Sequence, residues 1–333
     1  VSITSDPTET LAAAEPALAE AHMHLAGPQD PATGRVVATR LCTKGKSASF
    51  VRHVCIDVGG TPLEGKFRAG QSFGVIPPGT DERGRPRKLR LYSIASPSFG
   101  EDGSGRVLST TPKRLIAERQ PQRAGDDPDD HRLFLGACSN YLCDLRVGDE
   151  VAVTGPSGKR FLLPADPSRH DYLFLATGTG IAPFRGMALE LLRHPNGPCS
   201  SRIELLMGSP YTTDLLYDDL FCELAREHPN FAYHPVVSRE RRSDGGPGEY
   251  LHDRIRREAD RWREMLSNPR TLIYVCGLAG MQVGVFRTLA SLGLAEGYLE
   301  IGEEIAGIDP LEWSDEQIRR RVRHRSRCML EVY

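Results

Sequence analysis

The chain has 333 residues, of which 39% are hydrophobic and 26% charged, and its formal net charge is -2. That is the make-up of an ordinary globular protein, long for one compact core and comfortable for two domains. The near-neutral balance argues against a general nucleic-acid binder, and no uninterrupted apolar run reaches bilayer-spanning length, so no integral membrane association is expected.

Residues 1–34 are rich in Ala and Glu, are interrupted by Pro7 and Pro16, and end in the loop-like run Gly27, Pro28, Gln29, Asp30, Pro31. At most a marginal helix is expected, and the segment reads as an extension. Residues 35–166 offer short β-rich segments punctuated by Gly and Pro, at 36–40, 50–58, 72–76, 89–94, 107–111 and 150–154. Repeated short strands without intervening helices predict an antiparallel β-barrel. After a proline-rich linker at 164–167 the rhythm changes, and residues 167–333 alternate strands with amphipathic helices. Strands are expected at 172–176, 203–207, 231–237 and 272–276, helices near 183–193, 215–227, 250–266 and 281–291, and a closing strand at 329–333. This is the pattern of an α/β doubly wound parallel sheet, whose ligand should lie beyond the carboxyl ends of the strands.

The eight cysteines are scattered, and reduced thiols are expected. Cys138 and Cys143 have the first spacing of a plant-type iron-sulfur set, but Arg146 stands where the third ligand should fall. The histidines form no zinc spacing either, so no metal is expected.

Two segments carry more chemistry than packing alone requires. The apolar run ending at Ala176 leads through Thr177, Gly178, Thr179 and Gly180 into a helix expected to open at Pro183. Glycines let backbone N–H groups approach a pyrophosphate, and a helix N-terminus offers unpaired donors to an anion. Pro183 occupies the third glycine's place of GxGxxG, which demotes a conventional dinucleotide dehydrogenase. The second segment, Arg90 to Ser96, puts a cation beside Tyr92, suiting a phosphate and a flat ring. Gly70, Gln71, Ser72, Phe73 and Gly74 also satisfy the GxSxG pattern of a serine hydrolase. Val75, Ile76, Pro77 and Pro78 cannot begin the helix that motif needs, so Ser72 reads as structural or flavin-adjacent.

Taken in order, Gly70 to Pro77, Arg90 to Ser96, Lys113 to Leu115, Gly136 to Leu145, Gly155 to Lys159, Gly178 to Gly186, Val237 to Glu240, Val275 to Met281 and Glu331 to Tyr333 resemble the plant-type ferredoxin-NADP reductase family. The resemblance covers roughly Val36 to Tyr333. It implies an N-terminal FAD-binding barrel, a C-terminal NADP-binding domain, and an oxidoreductase that moves electrons between NADP(H) and ferredoxin or flavodoxin, an acidic one-electron carrier. By this resemblance Arg90 would hold the FAD pyrophosphate, Tyr92 would stack on the flavin, and Ser93 would sit near its reacting nitrogen. The turn from Gly136 to Asn140, with Cys138 and Ser139, would close over the FAD phosphates, with Lys113 also on the cofactor. Thr179 and Gly180 would meet the NADP pyrophosphate, Ser238 and Arg239 the 2′-phosphate, and Tyr250 the adenine. Cys276, Gly277 and Leu278 would lie beside the nicotinamide, Glu331 would support proton exchange, and Tyr333 would cover the flavin face opposite Tyr92.

There are departures from the family pattern. Ala117 stands where an aromatic residue commonly stacks on the FAD adenine, and Gly248 where a basic residue often assists the 2′-phosphate, a task Arg241 or Arg242 could take over. The run of arginines from Arg319 to Arg327 reads as a solvated helix face. Two other readings are the reductase component of an oxygenase and a flavin-free interaction module on the same fold. A bacterial cytoplasm is the expected compartment, with plastid stroma the alternative.

Overall fold

The computed structural model describes residues 15–81, 83–118, 125 and 127–333. The first unit contains β1 (Ala32–Leu41), β2 (Arg52–Asp57), β3 (Ser72–Ile76), β4 (Arg90–Ser93), β5 (Val107–Thr110), β6 (Ile116–Glu118), β7 (Leu133–Leu135), α1 (Ala137–Asp144) and β8 (Glu150–Ser157). Six of these strands form an antiparallel sheet in the order β4-β3-β8-β1-β2-β5. Beyond the two end strands, the Ala95 N–H donates to the Ser109 carbonyl at 2.8 Å and the Thr110 hydroxyl to the Ser93 carbonyl at 2.9 Å, which rolls the sheet into a barrel. Alternate residues such as Val54, Ile56, Phe73, Val75, Val151 and Val153 fill its interior.

The second unit contains β9 (Asp171–Thr177), α2 (Ile181–Leu192), β10 (Ile203–Ser209), α3 (Asp218–Glu227), β11 (Phe231–Val237), α4 (Leu251–Arg257), α5 (Ala259–Leu266), β12 (Thr271–Gly277), α6 (Ala279–Ser291), β13 (Leu299–Ile301), α7 (Glu303–Ala306), α8 (Asp315–Arg321), β14 (Val322–His324) and β15 (Cys328–Val332). Its parallel sheet has the order β11-β10-β9-β12-β15, so the chain reverses direction between β9 and β12. The strands are apolar on both faces because both are covered. Tyr172 and Phe174 pack into one core with Phe184 and Phe221, while Leu173 and Leu175 pack into the other with Trp262 and Phe286.

Four sequence expectations are corrected. The segment after Gly136 is a helix, α1, because Cys138, Leu142 and Leu145 recur at helical spacing and bury against the barrel. The helix expected to open at Pro183 begins at Ile181, after a single 3-10 turn at Gly178–Gly180. The helix expected over 250–266 is broken at Glu258, where α4 ends and α5 starts. The arginine run is not one helix face. Arg319, Arg320 and Arg321 on α8 pair with Asp315, Glu316 and Glu304, whereas Arg325 and Arg327 beyond it donate to the Leu299 and Gly297 carbonyls.

The two units share a buried polar seam. Arg185 of α2 binds Glu101 through two guanidinium nitrogens, at 2.5 and 3.0 Å, and the Ala95 carbonyl at 2.8 Å. Beside it the Tyr217 hydroxyl meets His53 Nδ1 at 2.9 Å and Thr111 Oγ1 at 2.6 Å. Burial, reinforced by the Arg185 charge, pushes His53 down to about 3, so the imidazole stays neutral. Glu190, further along α2, accepts from the Ser98 N–H and hydroxyl, each at 2.6 Å.

Candidate active site

A cleft of about 520 Å³ opens between the units, at the carboxyl ends of β9 and β12 where the sheet reverses. Ser49, Val51 and Lys113 line it from the barrel, and Thr179, Ser238, Arg239, Tyr250, Leu278 and Tyr333 from the other unit. Two glycines make the floor possible. A Cβ on Gly180 would stand 2.3 Å from the Cys276 carbonyl oxygen, and Gly277, at φ +142, would drive one to 2.2 Å from Thr177 Oγ1. The turn after β9 and the end of β12 therefore touch backbone to backbone. The Leu278 N–H, donating to Thr177 Oγ1 at 3.1 Å, fastens them.

The last residues close one end. Cys276 and Glu331 are register partners on β12 and β15, and the Tyr333 hydroxyl lies 2.7 Å from Thr179 Oγ1. Cys276 is 1% exposed, and burial, followed by the Glu331 carboxylate, pushes its thiol well up, so it is a neutral thiol and not a ready nucleophile. Burial also raises Glu331, to about 7, and its Oε2 has no hydrogen-bond partner among the described residues. A carboxyl so placed can hold or release a proton near neutrality.

Tyr250, exposed, stacks on His252 with ring centroids 5.7 Å apart and planes 5° from parallel, which leaves the other face of Tyr250 to the cleft. The sequence reading missed His252, two residues from the tyrosine it supports. Arg239 lies 5.9 Å from the Tyr211 ring centroid, and among the described residues it has no ion-pair partner. The Arg242 guanidinium is committed to Asp244 and Glu249. Arg241 donates to the Gly245 carbonyl at 3.0 Å.

The barrel residues form a second cluster. Arg90 is exposed and has no ion-pair partner among the described residues, and Tyr92 lies beside the buried Cys138 thiol. Gly136 caps α1 without any side-chain capping bond, and no acidic residue occupies the first turn. Arg90 and a helix N-terminus with unspent N–H groups form an anion-binding donor set, while the exposed Lys113 faces the cleft. With Tyr92 and an apolar hairpin alongside, this donor set fits the diphosphate and flat rings of FAD. Ser93 stands at the end of β4, and Ser139 is half-buried on α1. The structure thus brings Thr179, Gly180, Cys276, Gly277, Leu278, Glu331 and Tyr333 together, and Arg90, Tyr92, Cys138 and Gly136 separately. Ser72 lies buried on β3, paired with Ser157.

The raised Glu331 has a testable sign. Between about pH 4.5 and 7 the unfolded chain releases this proton while the folded chain keeps it, so folding stability falls as pH rises through that window. Glu331→Gln removes the penalty. Denaturant midpoints for variant and wild type should coincide near pH 4.5 and separate in the variant's favour by pH 8. A constant difference across that range would show that Glu331 titrates normally.

Residues 174–286 match the family model for the oxidoreductase NAD-binding domain. The chain is 35% identical over 301 residues to ferredoxin--NADP reductase of a Spirulina species, covering 90% of this chain and 94% of that protein. It is 36% identical over 273 residues to the chloroplastic leaf isozyme 1 of Arabidopsis thaliana, covering 81% of this chain and 72% of the relative. Among solved structures, ferredoxin-NADP+ reductase from Plasmodium falciparum superposes with a TM-score of 0.66 at 22% identity, over 93% of this chain and 99% of the other. Similarity at this level across nearly the whole length of the Spirulina protein means that the chain belongs to the ferredoxin--NADP reductase family.

Proposed function

We infer that this chain exchanges a hydride between NADP(H) and bound FAD and passes single electrons to or from ferredoxin. One observation carries the reading: a single cleft at the reversal point of the parallel sheet is lined from both units, so a nucleotide held by one would reach a cofactor held by the other. FAD, when bound, supplies the conversion between two-electron and one-electron transfer. The division of labour proposed is FAD on residues 35–166 and NADP(H) on 167–333.

Arg90, Lys113 and the first-turn N–H groups of α1 at Cys138 and Ser139, which follow the turn at Gly136, would hold the FAD diphosphate, Tyr92 and Tyr333 would take its ring, and Ser93 would stand at its reacting edge. Thr179 and Gly180 offer N–H groups to the NADP pyrophosphate, Ser238 and Arg239 bind the 2′-phosphate, and Tyr250, backed by His252, takes the adenine. Gly277 and Leu278 let the nicotinamide come close to Cys276, whose neutral thiol packs without competing as a base. Glu331 holds the proton that solvent supplies or removes. Tyr333 must give up its contact with Thr179 to admit the nicotinamide, so part of that ring's binding energy is spent on the exchange.

Steady-state kinetics with both nucleotides test these roles. Arg239→Ala should lose one charge-assisted contact, about 1.5–3 kcal/mol, weakening NADPH use by roughly ten- to a hundredfold while sparing NADH. Equal loss for both would refute the assignment. Tyr333→Ser should bind nicotinamide more tightly and let NADH compete better, and unchanged NADH efficiency would remove Tyr333 from the gating role.

The proposed carrier surface is the basic loop just before Arg90. Arg83, Arg85 and Lys88 are exposed there and Arg87 is half-buried, although Arg85 is partly neutralised by Asp81 at 2.8 Å. An acidic ferredoxin, or a flavodoxin on the same surface, would be steered by these charges, which salt screens over roughly 8 Å at physiological ionic strength. Association with ferredoxin should weaken with added salt and with Lys88→Glu. A rate indifferent to both would move the surface elsewhere. The relatives include cyanobacterial and chloroplastic proteins, and no described helix is long and apolar enough to cross a membrane. The proposed compartment is a bacterial cytoplasm or a plastid stroma, which fractionation of the source cells would distinguish from a membrane-bound location.

A further inference from the structure

The short hairpin of β6 and β7 is apolar and unburied. Ile116, Ala117, Leu133, Phe134 and Leu135 are all exposed, with Phe134 at 51%. In its ladder Ile116 opposes Leu135, Ala117 opposes Phe134, and Glu118 opposes Leu133. Directly opposed residues of an antiparallel pair share a face, and successive residues alternate between faces. Phe134 and Ala117 therefore project together on one face. Because its cross-strand neighbour ends at Cβ, the phenyl ring has an open flank, and among the described residues no other ring lies against it.

The hairpin is fastened to the anion-binding end of α1. The Gly136 N–H donates to the Leu115 carbonyl at 3.0 Å, and the Asn140 side-chain amide donates to the same oxygen at 3.0 Å. Phe134 precedes Gly136 by two residues, roughly 7 Å along an extended strand. That is the span of one ribose. A phosphate held at the uncapped start of α1 would therefore carry its nucleoside base onto Phe134. An uncharged flat ring, open on one side and next to a small residue, forms a stacking surface for a purine.

We propose that Phe134 is the platform for the FAD adenine in this chain, projecting from the neighbouring strand into the space that Ala117 leaves open. This rests on the reading of the barrel as an FAD site. It locates selection of FAD over FMN, which lacks the adenosine end, on a residue outside the run from Lys113 to Ala117.

The test is a titration of flavin-stripped protein with FAD and with FMN, followed by quenching of flavin fluorescence. Phe134→Ala should weaken FAD binding by roughly ten- to a hundredfold, the worth of one base-aromatic stack, and leave FMN affinity unchanged. Phe134→Tyr should bind FAD as wild type does. Phe134→Leu, which keeps apolar bulk without the ring, should fall nearly as far as the alanine variant and serves if that variant folds poorly. Ala117→Tyr added to Phe134→Ala should restore FAD affinity by placing a ring on the same face. FAD affinity unchanged in both Phe134→Ala and Phe134→Leu would overturn the inference, as would parallel losses for FAD and FMN, which would mark a purely structural role. Wild-type protein that binds neither flavin would overturn the FAD reading itself.

Discussion

The geometry of this molecule depends on one ion pair that water barely reaches. Arg185 is 8% exposed, and Glu101 answers it from the other unit. Burial raises the Glu101 carboxyl, but the guanidinium outweighs it and holds the group below its ordinary value. Such a pair gains little net stability over an apolar substitute, and its worth lies in the arrangement it enforces. Arg185 belongs to the helix that opens after Thr179 and Gly180, and it also binds the carbonyl of Ala95, two residues beyond Ser93. A single side chain thus ties the nucleotide turn to the end of the strand that carries Arg90 and Tyr92. Hydride transfer requires the two cofactors to be held within contact distance, and a misplacement of about 1 Å can cost a hundredfold in rate.

The surroundings of the pair hold it in one state. His53 lies 3.6 Å from Glu101 yet stays neutral, so it adds no second charge to the seam. Tyr217, which joins His53 to Thr111, adopts a left-handed backbone at φ 59, uncommon for a non-glycine residue, and its hydroxyl thereby reaches across into the barrel. Gly186 permits the same closeness in the backbone, since a Cβ there would stand 2.5 Å from the Ser96 carbonyl oxygen. Packing, polar contacts and backbone conformation all favour one relative placement of barrel and sheet.

Much of this was legible in the sequence, for identifiable reasons. The parallel strands announce themselves because both faces are buried, so Leu173, Phe174 and Leu175 form an unbroken apolar run. The glycines at 178 and 180 mark the turn because no larger residue fits at the second of them. Less legible were elements whose signal is short or shared with another structure. The strands β6 and β7 are three residues each and gain no burial, so no alternation betrays them. The residues Gly136, Ser139 and Asn140 favour a turn, and only the burial of Leu142 and Leu145 makes the segment a helix. The break at Glu258 carries neither Gly nor Pro. Arg185, Glu101 and His53 lie far apart in the chain, and nothing local in them indicates that they meet.

The departure at Gly248 shows how a local loss can follow from tight packing. In the sequence it reads as a missing cation. In the structure a Cβ at this position would stand 2.5 Å from the Ser238 carbonyl oxygen and 2.7 Å from that of Glu240, so no side chain fits without moving the segment that presents Ser238 and Arg239. The neighbouring Glu249, 7% exposed, gathers Arg242, Arg254 and Arg257 and withdraws those charges from the cleft. Under the proposed assignment, discrimination for the 2′-phosphate falls to Ser238 and to one guanidinium already steadied against the Tyr211 ring. An arginine pre-positioned in this way loses less conformational freedom on binding than a lysine would. On that assignment, the same packing that excludes a basic residue at position 248 leaves the recognition of the coenzyme to Arg239.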